Sequence, residues 1–158
     1  MDLRRLRGAD WAAGLFGAVL IGLLWAPWFK APGSFTAWQS MAVDDVFLFI
    51  AGALGVWVLV STTAYSTGAV PIAAAAFANF ASFLASILAA VRLIWPPDLG
   101  PGPTGRAYGV WLGTAAATLL LVSAIAAMRG ERRTAADPTQ VPITELPAPR
   151  AGQEGSGA

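Results

Sequence analysis

The chain has 158 residues, 56% of them hydrophobic and 12% charged, with a mean hydropathy of +0.61 and a net charge of +1. Soluble domains carry about 25% charged residues, so this composition belongs to membrane proteins. The absence of Cys and His excludes disulfides, thiol catalysis, thiolate metal sites and the commonest general base.

Residues 1–10 are a polar cytoplasmic start with Arg4, Arg5 and Arg7. The apolar run WAAGLFGAVLIGLLWAPWF, 11–29, is the first span. A basic start before an apolar run also describes a signal peptide. This run is long for one, however, and Trp25, Trp28 and Phe29 stand where small residues would mark cleavage. An uncleaved span is the better reading. Pro27 and the turn signal Pro32-Gly33 open a loop whose 35–41 stretch, with Trp38, makes a short amphipathic turn in the interface. Asp44 and Asp45 precede the second span, 46–63, where carboxylates complement a helix N-terminus.

A short connection leads to Pro71 and the third span, 71–95, so spans two and three form an antiparallel hairpin. This span has two sides. At 100° per residue Ala75, Asn79, Ser82 and Ser86 share one sector, while Phe77, Phe80, Leu84, Leu88, Val91 and Trp95 lie opposite. The large apolar side suits lipid and the small side suits other helices. Four prolines and three glycines in 96–106 predict an irregular loop, neither helix nor strand. The fourth span, 108–128, ends at Arg129, with Arg132 and Arg133 close behind. Residues 130–158 form a Pro-rich cytoplasmic tail without aromatics, which reads as disordered.

These elements define an all-α membrane protein, a four-transmembrane-helix bundle with a disordered C-terminal tail. Arginines flank the start of span one and the end of span four, which places both termini in the cytoplasm of a multi-pass plasma-membrane protein. Trp25, Trp28, Trp38, Trp95, Tyr108 and Trp111 then form an outer aromatic belt, and Trp11 and Tyr65 an inner one. Small-residue stripes supply the packing faces: Gly14, Gly17, Ala18 and Gly22; Ala51, Gly52 and Gly55; Gly109, Gly113, Ala116, Ala117 and Ala124.

No acid or base lies at the centre of any span, where proton-coupled transport normally needs one. Small multidrug transporters also have four spans but carry a Glu within the first, whereas here Asp10 is the only acid near it. No catalytic, cofactor or metal motif appears, and the arginine patch is too small for nucleic acid. The candidate contacts are structural. Ser82 and Ser86 can bond their own helix carbonyls, while the Asn79 amide calls for a neighbouring partner. Asp44, Asp45 and Arg92 share a depth at the outer rim. Either acid can face the bundle. Asp45 is favoured as the partner that locks Arg92 and the hairpin, against a helix cap at Asp45 and a headgroup contact at Arg92.

The segments APWF from Ala26, TAWQSMAVDDVFL from Thr36, RLIWPPD from Arg92, YGVWLG from Tyr108 and AMRGE from Ala127 resemble a group of small four-span proteins from actinobacteria, over 15–131. The resemblance implies this topology and a plasma-membrane location, and no reaction; it matches the position of Asp45 more closely than that of Asp44. The chain therefore reads as a non-enzymatic accessory or assembly subunit of the cell envelope, in contact with the bilayer and a membrane-protein partner. The alternative is a homo-oligomeric transporter or channel component built around the Asn79 face. Reporters active only outside the cytoplasm should work when fused at the Trp38 and Gly100 loops and fail after Ala158; activity at the C-terminus would overturn the four-span topology.

Overall fold

The computed structural model describes residues 7–41, 43–64 and 69–135. It is mostly helical, with a small sheet at one end. Helix α1 spans Gly8–Leu23, strand β1 Pro27–Lys30, strand β2 Ser34–Thr36 and the single turn α2 Ala37–Ser40. Then come α3, Asp44–Ala64, and α4, Ala69–Ile94, followed by strand β3, Gly105–Arg106, and α5, Tyr108–Ala135. Three helices are long and apolar enough to cross a membrane (Asp44–Ala64, Val70–Ile94 and Tyr108–Arg129), and α1 is a shorter apolar helix. The four helices pack cyclically: α1 against α3 and α5, and α4 against α3 and α5.

Small residues decide how closely they approach. Along α3, Asp45, Leu48, Ala51, Gly52, Gly55, Val58 and Ser61 are buried, a three-and-four spacing that keeps one stripe facing inward. Gly17 of α1 meets this stripe at backbone level. A Cβ on Gly17 would lie 2.5 Å from the Gly52 carbonyl oxygen, and one on Gly55 would lie 2.8 Å from the Ala13 carbonyl oxygen. Such contact gains dispersion energy where lipid supplies no hydrophobic drive between helices. The predicted stripes hold at Gly14, Gly17, Ala51, Gly52 and Gly55 and all along α5, but Ala18 and Gly22 face outward. Helix α4 buries Ala74, Ala75, Ala78, Ser82, Ala85 and Ala89 and exposes Phe77, Phe80 and Phe83. Its expected sidedness is present, with Leu84 and Leu88 at the boundary between the faces.

The sheet end departs from expectation in three ways. The first apolar run does not stay helical to residue 29: α1 stops at Leu23, and Pro27, which cannot continue a helix, begins β1. Residues 105–106, expected to be irregular, pair with β1, so the sheet order is β2-β1-β3. The rest of that loop turns through Gly100 and Gly102, whose φ values of 131° and 127° suit glycine alone. At the other end, α5 continues through Ala135, beyond the expected end of helix at 128. The tail from Ala136 onward, Tyr65 and most of the connection before α4 lie outside the described residues.

Trp28 and Phe29 are adjacent in β1, and both are wholly buried. Regular strand residues alternate faces, but β1 carries an irregularity in register between Pro27 and Phe29 that turns both inward. Trp28 was expected in the aromatic belt. Instead its indole covers α5 at Gly109 and Gly113, where any Cβ would collide with the ring, and its Nε1 donates to the Leu23 carbonyl at 2.7 Å. Trp25, Trp38, Trp95, Tyr108 and Trp111 remain exposed.

Gly17→Ala should cost about 1–3 kcal/mol by overpacking against the α3 backbone. Gly22→Ala, with nothing within 4 Å of the added carbon, should be neutral or slightly stabilising. Unfolding in detergent measures both.

Candidate functional site

The polar residues singled out in the sequence fall into two places. Along α4 the serines satisfy themselves: Ser82 Oγ donates to the Asn79 carbonyl at 3.1 Å, and Ser86 Oγ to the Ser82 carbonyl at 2.7 Å. Ser61, Thr62, Thr114 and Ser123 likewise bond their own helices. Asn79 does not follow expectation. Its Oδ1 is enclosed, but no hydrogen-bond partner for it occurs among the described residues.

The second place is the sheet end of the α3–α4 hairpin. Arg92 lies in the last turn of α4 and Asp44 opens α3. The guanidinium Nε donates to Asp44 Oδ2 at 2.5 Å, with the two side chains 31% and 16% exposed. The expected Asp45–Arg92 pair is therefore replaced by Asp44–Arg92. The reason is helix rotation: Asp45 continues the buried stripe of Leu48 and Gly52, which turns it into the bundle, while Asp44 stands at the α4 edge within reach of Arg92. Asp45 is 0% exposed, and neither carboxylate oxygen has a hydrogen-bond partner among the described residues.

Two contacts that close this end had not been recognised in the sequence. Arg106 donates from Nε to the Leu93 carbonyl and from Nη2 to the Ile94 carbonyl, at 2.5 and 3.0 Å. These are orphan carbonyls of the α4 C-terminus, which a guanidinium both bonds and matches in charge. Arg106 stands twelve residues beyond the end of α4, too far along the chain for the sequence to signal this cap. Trp25, Trp38 and Phe49 form a chain of tilted rings with centroids 5.8 and 6.1 Å apart, which joins α2 to α3.

Among the described residues no group of three or more acidic side chains is placed to hold a metal ion. The arrangement clamps helices together and encloses one carboxylate. Comparison with protein-family models, curated proteins and solved structures finds no match.

Asp44→Ala and Arg92→Ala should each destabilise, and the double mutant should cost less than their sum by about 0.5–1 kcal/mol, the scale of a partly exposed ion pair. Asp45→Asn should leave that coupling intact. A double-mutant cycle in detergent unfolding measures both.

Proposed function

We propose that the chain is a four-span integral protein of the plasma membrane, related to the small actinobacterial group it resembles, with both termini cytoplasmic and the sheet end outside. In this reading it is a non-enzymatic accessory or assembly subunit of the cell envelope. The observation that carries it is the contrast between interior and surface. Inside, α1 and α3 touch backbone to backbone at Gly17, Gly52 and Gly55, and Trp28 fills the sheet end against Gly109 and Gly113. Outside, Leu15, Val19, Phe77, Phe80, Phe83, Leu119 and Val122 expose broad apolar surface. A chain filled in this way acts through its outer surface, on lipid and on neighbouring membrane proteins.

The short first helix fits the same reading. Its 16 residues reach about 24 Å, less than a hydrocarbon core of about 30 Å. The following segment makes up the difference, because its polar backbone is bonded in the sheet and Leu24, Trp28 and Phe29 are buried. Irregular backbone is tolerated at membrane depth under those conditions. The aromatic residues exposed at the sheet end suit the outer interface.

A second reading, an oligomeric transporter or channel component, draws on Asn79, which is half-buried on α4 and whose enclosed Oδ1 has no hydrogen-bond partner among the described residues. Extraction from native membranes in mild detergent separates the two. A subunit should migrate with a larger partner complex, and the purified chain should move no solute in liposomes. A homo-oligomer with solute flux abolished by Asn79→Leu would replace the first reading with the second.

A further inference from the structure

The end of the bundle opposite the sheet brings together parts far apart in the chain. Helix α1 runs toward the sheet and α5 runs away from it. The Trp28 indole fixes their register, since its Nε1 donates to the Leu23 carbonyl and its ring covers Gly113. Arg7 lies sixteen positions before Leu23, and Arg129 sixteen positions after Gly113. A second level agrees. A Cβ on Gly55 would meet both Gly17 and Leu120, and Gly8 and Arg129 each stand nine positions from those, about 14 Å along either axis. Arg7 and Arg129 are thus level on helices that pack against each other, and both are exposed.

Charge at this end is one-sided. The segments that begin α1 and end α5, 1–10 and 129–133, hold six arginines against three acids, Asp2, Asp10 and Glu131. Asp10 is buried and accepts the Arg7 backbone N–H at 3.0 Å, so its carboxylate is not offered to the surface. The α3–α4 connection, which belongs to the same end, carries no charge from 65 to 70. At the sheet end, by contrast, Lys30, Arg92 and Arg106 are matched by Asp44, Asp45 and Asp98, and both arginines are bonded within the protein. The positive excess therefore belongs to the α1–α5 edge.

An apolar track leads to each arginine. Trp11, Leu15 and Val19 follow Arg7 at intervals of four, which keeps them on one face of α1, and all three are exposed. On α5, Leu119 and Val122 are exposed, and Arg129, seven positions beyond Val122, shares that face. Arg132 and Arg133 follow Arg129 by three and four positions, the spacing of neighbours on a helix. Acyl chains can lie along such tracks while a phosphate reaches the guanidinium at their end.

We propose that the α1–α5 edge at this end is a binding site for an anionic phospholipid, its phosphate held between Arg7 and Arg129. Guanidinium pairs with phosphate through two parallel hydrogen bonds, and two level arginines on adjacent helices can share one headgroup. The site rests on the membrane-spanning reading above, but not on which side this end faces or on any protein partner.

The test uses the full chain, inserted into phosphatidylcholine nanodiscs and, in parallel, titrated in mild detergent with phosphatidylglycerol or phosphatidylcholine, with bound lipid counted by native mass spectrometry. Failure to insert would remove the membrane reading and the site with it, whereas insertion without a lipid preference would remove the site alone. The wild type should retain phosphatidylglycerol over phosphatidylcholine. Arg7→Gln or Arg129→Gln should weaken phosphatidylglycerol binding about fivefold, and the two together about thirtyfold, with phosphatidylcholine unaffected. Arg7→Lys with Arg129→Lys should keep most of the preference. Lys30→Gln, the same charge change at an exposed position of the sheet end, should leave it intact. Equal retention by the wild type and the double Gln variant, or an equal loss in Lys30→Gln, overturns the site. Displacement of the lipid by equimolar inorganic phosphate would make it a site for the free anion and overturn the lipid as occupant.

Discussion

The seating of Trp28 on Gly109 and Gly113 is the contact on which the sheet end depends. One side chain from β1 occupies the space that two missing Cβ atoms leave on α5. Its carbonyl accepts the Ala107 N–H at 2.8 Å, which brings the chain before α5 alongside β1. Through Arg106, two residues before α5, the same seating reaches the last carbonyls of α4. The enclosed Asp45 lies at this same end, in the first turn of α3.

The two ends of the α3–α4 hairpin are held by different physics. At one end the connection is so short that the helices must be antiparallel neighbours. At the other, Asp44 and Arg92 are joined by a charge-assisted hydrogen bond between residues 48 positions apart. Between the ends, alanines and self-bonded serines let the helices approach without leaving hydroxyls unsatisfied. Asn79 and Asp45 are the exceptions to this economy: among the described residues the Asn79 Oδ1 and both Asp45 carboxylate oxygens are enclosed without a partner.

Much of this architecture was legible in the sequence. The second and third apolar runs give helices close to their expected limits, because strong hydropathy is bounded there by Asp44, Pro71 and Pro96. The sidedness of α4 was legible because Phe and Ala separate cleanly at helical spacing. The end of α1 was not, because Leu24, Trp25, Trp28 and Phe29 are as apolar in a strand as in a helix. Strand β3 was hidden in a loop rich in Pro and Gly, since its pairing comes from a partner far away in the chain. The choice between Asp44 and Asp45 turned on about 100° of helix rotation. The buried stripe through Leu48 and Gly52 carries that information, and the resemblance pointed to the other acid.

The sheet also has a consequence for how the chain is made. Strand β1 belongs to the beginning of the polypeptide, while β3 and the glycines that receive Trp28 come near the end. During synthesis from the N-terminus, α1, α3 and α4 emerge first, and for that interval β1 can pair with β2 but lacks β3, and Trp28 lacks its seat on α5. This end therefore cannot close until α5 has been made, and until then the Trp28 indole has no glycine surface to cover.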